Sequence, residues 1–173
     1  MAQKKTTLKK AGAKKKPTKL HTHGSKTPSM KTIALIPCSA TKRNSKTPLA
    51  AEELYTGPLF KKALECATAM KPDAVYILSA KHHLVKPETK LRNYNMLLSK
   101  QPAAYRREWA DKVLEQLRDE GVDLGNDRIV FLTGKAYYAN LVKHIKHVCI
   151  IGEGMPIGRK MSEFNRIIRK NNH

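Results

Sequence analysis

Three segments of the chain place small, polar or reactive residues and a lysine directly after a hydrophobic run. The segments are PCSATK, SAKHH and TGK, and their candidate binding residues are Cys38, Ser39, Lys42, Ser79, Lys81, Gly134 and Lys135. Ligands of open α/β sheets bind beyond the carboxyl ends of the strands, which share one edge when the strands are parallel. We therefore expect Lys42, Lys81 and Lys135 to converge on one anionic ligand at that edge.

Cys38 has two interpretations. A cysteine is a nucleophile only as the thiolate, and the ammonium groups of Lys42 or Lys81 would favour that form, with His82 as the acid–base partner. The alternative is a small cysteine packed at a strand end, and inert buried cysteines are the commoner kind. Ser39 is expected to contact a base edge or a phosphate, or else to cap the segment that follows.

Other side chains of these segments suit a nucleobase or a phosphate. Ser79, Lys81 and His82 supply the donors that an extruded base or its phosphate needs. Gly134 and Lys135 stand in TGKAYY, which lacks the spacing of a Walker motif but could bind one phosphate through its amides. Base stacking, at ~1–3 kcal/mol per base, and packing are both open for the tyrosines Tyr55, Tyr94, Tyr137 and Tyr138.

The charge of the chain indicates an anionic partner. Lys and Arg number 34 and Asp and Glu 14, giving a net charge of +20 over 173 residues. Nucleic acid is the first candidate, DNA before RNA. No segment approaches the ~20 apolar residues that span a membrane, so we expect no membrane partner.

The first 31 residues contain ten lysines and no acidic residue. With almost no large apolar side chains, residues 1–31 are predicted to form a disordered basic arm, or else a solubilising tail without a binding role. The arm lacks the apolar core of a secretory signal, and Cys38, Cys66 and Cys149 form no paired pattern. We expect a cytoplasmic protein that uses neither a metal nor a cofactor, and association with the nucleoid is an open alternative.

Hydrophobic runs and helical spacing alternate along residues 32–173. The predicted strands are Lys31–Pro37, Ala74–Ala80, Asp127–Gly134 and HVCIIG, and the predicted helices include Leu59–Met70, Pro102–Leu117, KAYYANLVKHI and IGRKMSEFNRIIRK. This alternation predicts a single α/β domain with a parallel or mostly parallel sheet flanked by helices. The segment KHHLVKPETKLRNYNMLLSK shows no clean period and is predicted to be a long functional loop.

The segments IALIPCSATK, AEELYTGPLFKKALE, AVYILSAKHHLVKPE and MPIGRKMSEFN together resemble a domain family of bacteria, archaea and phages. That family has a Cys-Ser-x-x-Lys strand end and is similar to the YaaA-like proteins, which bind DNA and are linked to oxidative damage. PCSATK also resembles the Pro-Cys-Ser strand end of archaeosine-synthesis proteins, which act on a modified guanine in tRNA. The resemblance implies a nucleobase at a basic sheet edge and, more remotely, glycosylase-like action on modified bases.

Two positions depart from the family pattern. His83 stands where the family has Gly after Lys-His, and Asn95 stands after Tyr94 where the family has Asp. Because an amide cannot accept a proton, we predict Glu88, the acidic residue of the loop, as general base, with Asn95 orienting water and His82 assisting.

These residues predict a nucleic-acid-binding protein, as a DNA glycosylase-like enzyme acting on a modified or damaged base. The alternatives are a non-catalytic DNA-binding protein of a phage or a stress response, and a tRNA base-modification enzyme. A nucleotide-binding signalling protein would not need the arm.

Overall fold

Seven strands and five helices build the part of the protein that the computed structural model describes, residues 29–172. The strands are β1 (Thr32–Pro37), β2 (Leu49–Ala50), β3 (Ala74–Ser79), β4 (His83–Val85), β5 (Lys90–Leu91), β6 (Arg128–Phe131) and β7 (His147–Ile150). The helices are α1 (Ala51–Leu54), α2 (Pro58–Ala69), α3 (Ala103–Asp119), α4 (Lys135–Tyr138) and α5 (Ile157–Asn171). Within the described range, no helix is both long and apolar enough to cross a membrane. Residues 1–28 of the predicted arm lie outside this range.

The central sheet has the strand order β4-β3-β1-β6-β7. Strands β3, β1, β6 and β7 are parallel, and β4 pairs with β3 in the antiparallel direction. The predicted α/β class with a mostly parallel sheet is therefore confirmed. β2 and β5 form a separate two-stranded ribbon.

Both faces of the sheet are covered, which explains the continuous hydrophobic run of β1. Ile33 and Leu35 pack towards α3, whose Trp109 and Val113 belong to the same buried cluster. Ala34 and its neighbours on the opposite face pack with residues of α1, α2 and α5. The result is a three-layer sandwich with α3 on one face of the sheet and α1, α2 and α5 on the other.

The chain reverses its direction of winding at β1. It passes from β1 through α1 and α2 to β3 on one side, and then through α3 to β6 on the other side of β1. The carboxyl ends of β1 and β6 therefore flank the topological switch point, where ligands of open α/β sheets bind.

Several predicted elements are divided in the structure. The predicted loop after β3 contains β4, β5 and the 3-10 turn Leu98–Lys100. The helix predicted for KAYYANLVKHI ends as α4 after one turn, and a 3-10 turn, Val142–His144, follows it. The structure also includes Lys31, assigned by sequence to the arm: its amide donates to the Asp127 carboxylate at 2.9 Å, and its carbonyl accepts from Arg128.

Candidate functional site

A cavity of about 430 Å³ opens at the switch point, beyond the ends of β1 and β6, and we call it the edge cavity. This size lies in the ~300–1,000 Å³ range of small-molecule sites. Its polar lining comes from Cys38, Gly134, Lys135, Tyr137, Tyr138 and Lys160. Its apolar lining includes Leu59, Met155 and Ile157. An apolar wall with a few polar groups is typical of a ligand site.

Cys38 is held at the edge cavity by main-chain and side-chain hydrogen bonds. Its amide donates to the Leu78 carbonyl at 3.1 Å, which continues the pairing of β1 with β3. Its Sγ lies 3.2 Å from the Tyr137 hydroxyl. Burial raises the pKa of Tyr137, so this hydroxyl stays protonated at neutral pH. The Tyr137 ring stands edge-on to Trp109, which orients the phenol.

Lys160 is a functional candidate that the sequence prediction missed. Its side chain is only 7% exposed, and its amine donates to the Thr133 carbonyl at 2.9 Å, where β6 has ended. Burial lowers the pKa of Lys160. The available signal was its spacing: Lys160, Phe164 and Ile168 recur every four residues and are the buried positions of α5. A lysine in an apolar stripe of a helix is a marked exception to amphipathic patterning.

Glu153 is a carboxylate at the same edge that sequence reasoning also passed over. It is exposed in the turn between β7 and α5, between Gly152 and Gly154, which both have φ +67°. The Tyr138 hydroxyl points to its Oε1 at 3.5 Å. Tyr138 and Gly154 line the edge cavity, so the Glu153 carboxylate lies next to two of its lining residues.

A second group of side chains surrounds Tyr94, and we call it the Tyr94 cluster. The Tyr94 hydroxyl lies 2.6 Å from the Tyr55 hydroxyl and 2.8 Å from Ser79 Oγ. Lys42 Nζ and Lys81 Nζ lie 4.2 and 5.8 Å from the centre of the Tyr94 ring, within or near cation–π range. The fully buried Tyr55 cannot stack on a base, so that prediction is wrong for Tyr55.

His82 completes the Tyr94 cluster. Its ring stands edge-on to Tyr94, with 5.1 Å between ring centres. Burial, and then the positive charge of Lys81, lower the pKa of His82, so that the imidazole is neutral at pH 7. Burial also lowers the pKa of Lys42. A neutral imidazole can accept a proton, which keeps His82 available as a base.

A family model described as a family of unknown function, DUF6884, matches residues 33–166. The chain belongs to the DUF6884 family. No curated protein matches the chain. The matched region begins in β1 and continues into α5, so the DUF6884 region contains the edge cavity and the Tyr94 cluster.

Two serines of this DUF6884 chain hold the backbone at the predicted site. Ser79 is fully buried, and its Oγ accepts from the amide of His82 at 2.9 Å. Ser39 Oγ accepts from the amides of Thr41 and Gly57, both at 3.1 Å. Ser39 therefore holds main-chain amides of its own loop and of the start of α2, although neither α1 nor α2 has a side-chain cap. The proposed contact of Ser79 with a ligand is not supported, because its hydroxyl is enclosed.

The three lysines at the strand ends lie in two groups. Lys42 and Lys81 flank Tyr94, whereas Lys135 lines the edge cavity. Neither Lys42 nor Lys81 lines that cavity. All three follow carboxyl strand ends as predicted, but they do not share one pocket.

Glu88 is not brought to the carboxyl edge. Strand β4 runs back along β3, with His83 opposite Ser79 and Val85 opposite Ile77. The chain therefore reaches the exposed Glu88 on its way towards the amino ends of the strands. The role of Glu88 as general base loses its support, whereas Asn95 is exposed directly after Tyr94.

Among residues 29–172, no cluster of three His, Cys, Asp or Glu side chains is placed to hold a metal ion.

A cationic hollow of about 360 Å³ adjoins the edge cavity through Lys135, which lines both. Arg106 and Arg107 of α3 provide its other charges, and Asn140 lies at its rim. Its lining includes no acidic side chain. Sequence reasoning missed both arginines because α3 was recognised only by its apolar face.

Proposed function

We propose that the protein binds nucleic acid, with DNA as the preferred partner, and holds one nucleobase in the edge cavity. The observation that carries the proposal is that Lys135 lines both the edge cavity and the cationic hollow. A nucleotide needs both kinds of surface side by side, since its base is flat and largely apolar and its phosphate is anionic.

The chemistry of each surface supports this division. Leu59, Met155 and Ile157 offer apolar contact to the face of a base, and the phenol of Tyr138 can hydrogen-bond to its edge. The guanidinium groups of Arg106 and Arg107 are suited to phosphate oxygens, which they can bind in a bidentate manner. The resemblance of the sequence motifs to the DNA-binding YaaA-like proteins favours DNA over RNA.

Removal of a modified or damaged base is the second candidate function, and the position of Glu153 favours it. Hydrolysis of a glycosidic bond needs a carboxylate to orient and deprotonate water near the sugar. Glu153, next to the cavity residue Tyr138, takes the role first assigned to Glu88. His82 belongs to the Tyr94 cluster, and Asn95 follows Tyr94 in the chain. These two residues would therefore act on the nucleotide next to the one held in the edge cavity.

The binding proposal is tested by two double variants that each remove two positive charges, one pair in the cationic hollow and one pair outside it. In Arg106→Gln/Arg107→Gln, the logarithm of DNA affinity should depend less steeply on the logarithm of salt concentration, by ~0.9 for each lost phosphate contact on duplex DNA. The control is Arg128→Gln/Lys146→Gln, which removes two exposed charges near the amino ends of β6 and β7. The control should retain the slope. Equal losses in both variants would show that only net charge matters and would refute a defined surface.

The enzymatic candidate is tested with duplexes that each carry one modified base. Released base is measured by chromatography, and abasic sites are revealed as strand breaks after alkali. Glu153→Gln should lose release while retaining DNA affinity, and Glu88→Gln should be unaffected. Release that survives Glu153→Gln but not Glu88→Gln would reverse the assignment.

A further inference from the structure

Lys160 is the one lysine among residues 29–172 whose side chain is buried. Its amine has a main-chain carbonyl, that of Thr133, as its hydrogen-bond acceptor. The ion pairs of the described part involve Lys62, Lys86 and Arg166, not Lys160. A buried ammonium without a carboxylate is unfavourable, because desolvation is not offset by an opposite charge.

Two states relieve this cost: the amine loses its proton, or an anion binds to it. The structure favours the first. Phosphate has a more accessible place in the cationic hollow, where Arg106 and Arg107 remain charged. Burial also lowers the pKa of Lys160, which increases the fraction of neutral amine. A neutral lysine amine in a ligand cavity is the species that forms Schiff bases with carbonyl compounds.

The environment of Lys160 is built to hold its side chain in one place. Gly152 has φ +67°, and a Cβ at this position would lie 3.0 Å from Lys160 Cγ. The absence of a side chain at Gly152 therefore allows the lysine stem to pack against the turn after β7. The fixed stem delivers the amine to the end of β6, beside Gly134 and the edge cavity.

We propose that Lys160 is an amine nucleophile that forms an imine with the ring-opened sugar of an abasic nucleotide in DNA. This inference rests on the proposed function, because binding of the DNA backbone is what brings a sugar aldehyde to the cavity. An abasic nucleotide leaves the space of the base empty, so its sugar can reach the amine.

The reaction needs no oxidant or reductant. The nitrogen lone pair attacks the aldehyde carbon C1′, and the carbonyl oxygen takes up a proton to give a carbinolamine. Loss of that oxygen as water forms the C=N bond. The protonated imine then acidifies C2′, a base removes the C2′ proton, and the electron pair forms the C2′=C3′ bond while the 3′ phosphate leaves with its C–O electrons. Glu153 is the carboxylate at this edge that can take the proton.

The test uses the full-length chain and a duplex that already contains one abasic site, so that base removal is not required. Cyanoborohydride at neutral pH reduces the imine to a stable amine, and the adduct is resolved on a denaturing gel and assigned by peptide mass spectrometry. Mapping is essential because the ten lysines of residues 1–31 can also be trapped. We expect the adduct on Lys160.

Two matched variants accompany the wild type. Lys160→Arg retains a donor for the Thr133 carbonyl but forms no imine, and it should lower trapping at least tenfold. Lys170→Arg, at an exposed position of the same helix α5, should trap like the wild type. Thermal denaturation and DNA affinity are measured for each variant. A folded Lys160→Arg that binds DNA is required for the comparison; if it does not fold, the peptide map of the wild type decides.

The outcomes separate this inference from the proposed function. DNA binding without an adduct on Lys160 would overturn the inference alone, as would adducts confined to other lysines. A failure to bind DNA would overturn both. If Lys160 instead holds an anion as an ammonium, no adduct forms and inorganic phosphate raises the melting temperature of the wild type but not of Lys160→Met; that result also overturns the inference.

Discussion

Burial keeps the phenols of the carboxyl edge in their protonated form. It raises the pKa of Tyr55 to about 12 and raises the pKa values of Tyr94 and Tyr137 as well. These hydroxyls are therefore hydrogen-bond donors at neutral pH. Burial also lowers the pKa values of Lys42 and Lys160. Burial therefore favours the neutral form of both the amines and the phenols at this edge.

Cys38 is expected to act through its hydrogen bond with Tyr137 and not as a nucleophile. Cys38→Ser preserves a hydroxyl partner for the Tyr137 hydroxyl, 3.2 Å away, and should retain DNA affinity and most of any activity. Tyr137→Phe removes the interaction and should lower the free energy of unfolding by ~1 kcal/mol. A thousandfold loss of activity in a folded Cys38→Ser, measured by steady-state kinetics, would instead point to chemistry at sulfur.

The histidines of the β3–β4 turn make stability dependent on pH. Burial lowers the pKa values of His82 and His83 below the ordinary 6.5, so the folded state binds fewer protons than the unfolded state. The free energy of unfolding should therefore fall as pH decreases from 6.5 through the folded-state pKa values. Urea titrations at several pH values measure this fall.

The variant Lys81→Ala tests whether the charge of Lys81 contributes to the lowered pKa of His82. Removing the positive charge of Lys81 should raise the pKa of His82 towards its ordinary value, as followed by NMR titration of the ring protons. An unchanged midpoint would mean that Lys81 does not act on His82.

At the scale of the elements, the turn from β3 into β4 requires a left-handed residue. His83 occupies this position with φ +62°. Glycine adopts such a conformation without strain. This gives a physical reason why the family that the sequence resembles has Gly at the position of His83. The antiparallel return of β4 depends on this residue, since it opens β4 opposite Ser79.

His83→Gly and His83→Ala form a matched pair, because both remove the imidazole and differ only in the Cβ. We expect His83→Gly to be more stable than His83→Ala by about 1 kcal/mol, since alanine retains the left-handed strain. Chemical denaturation of both proteins measures the difference. Equal stabilities would show that the turn relaxes to another conformation.

The junction between β1 and α2 depends on a close approach of Gly57 to Ser39. A Cβ at position 57 would lie 2.3 Å from Ser39 Oγ, and the Gly57 amide donates to that oxygen. Gly57→Ala should lower the free energy of unfolding by ~1–3 kcal/mol, the cost of overpacking.

A double-mutant cycle tests the cause of this loss. Ser39→Ala removes the clashing oxygen, so Gly57→Ala should cost less in the Ser39→Ala background than in the wild type. The same cost in both backgrounds would place the strain elsewhere in the junction.

At the scale of the whole molecule, residues 1–28 are expected to add affinity that does not depend on DNA sequence. They contain nine lysines and no acidic residue. Deleting them should weaken DNA binding and flatten the log–log salt dependence by several units, at ~0.9 for each neutralised phosphate. The deletion should end before Lys31, whose amide is bonded to Asp127.

In the control for the deletion, a Gly/Ser segment of the same length replaces residues 1–28. It should behave like the deleted protein, because it restores length without charge. If the slope is the same with and without the lysines, these residues do not contact the phosphates.

The amino-acid sequence by itself determined the features that depend on local pattern. The short runs IALI, AVYIL and IVFL, rich in β-branched and aromatic residues, predicted buried strands, and their alternation with amphipathic segments predicted the mostly parallel α/β sheet. The same pattern predicted correctly that Cys38, Lys81 and Lys135 follow carboxyl strand ends.

The tertiary structure decided which of those side chains share a site, because direction and burial arise from contacts between distant segments. β4 turns back along β3 and carries Glu88 away from the edge, whereas the turn after β7 brings Glu153 to it. Packing of α5 encloses Lys160 beside Thr133, residues that lie 27 positions apart in the chain. A sequence shows that a lysine is present; only the packed fold removes it from water and so changes its chemistry.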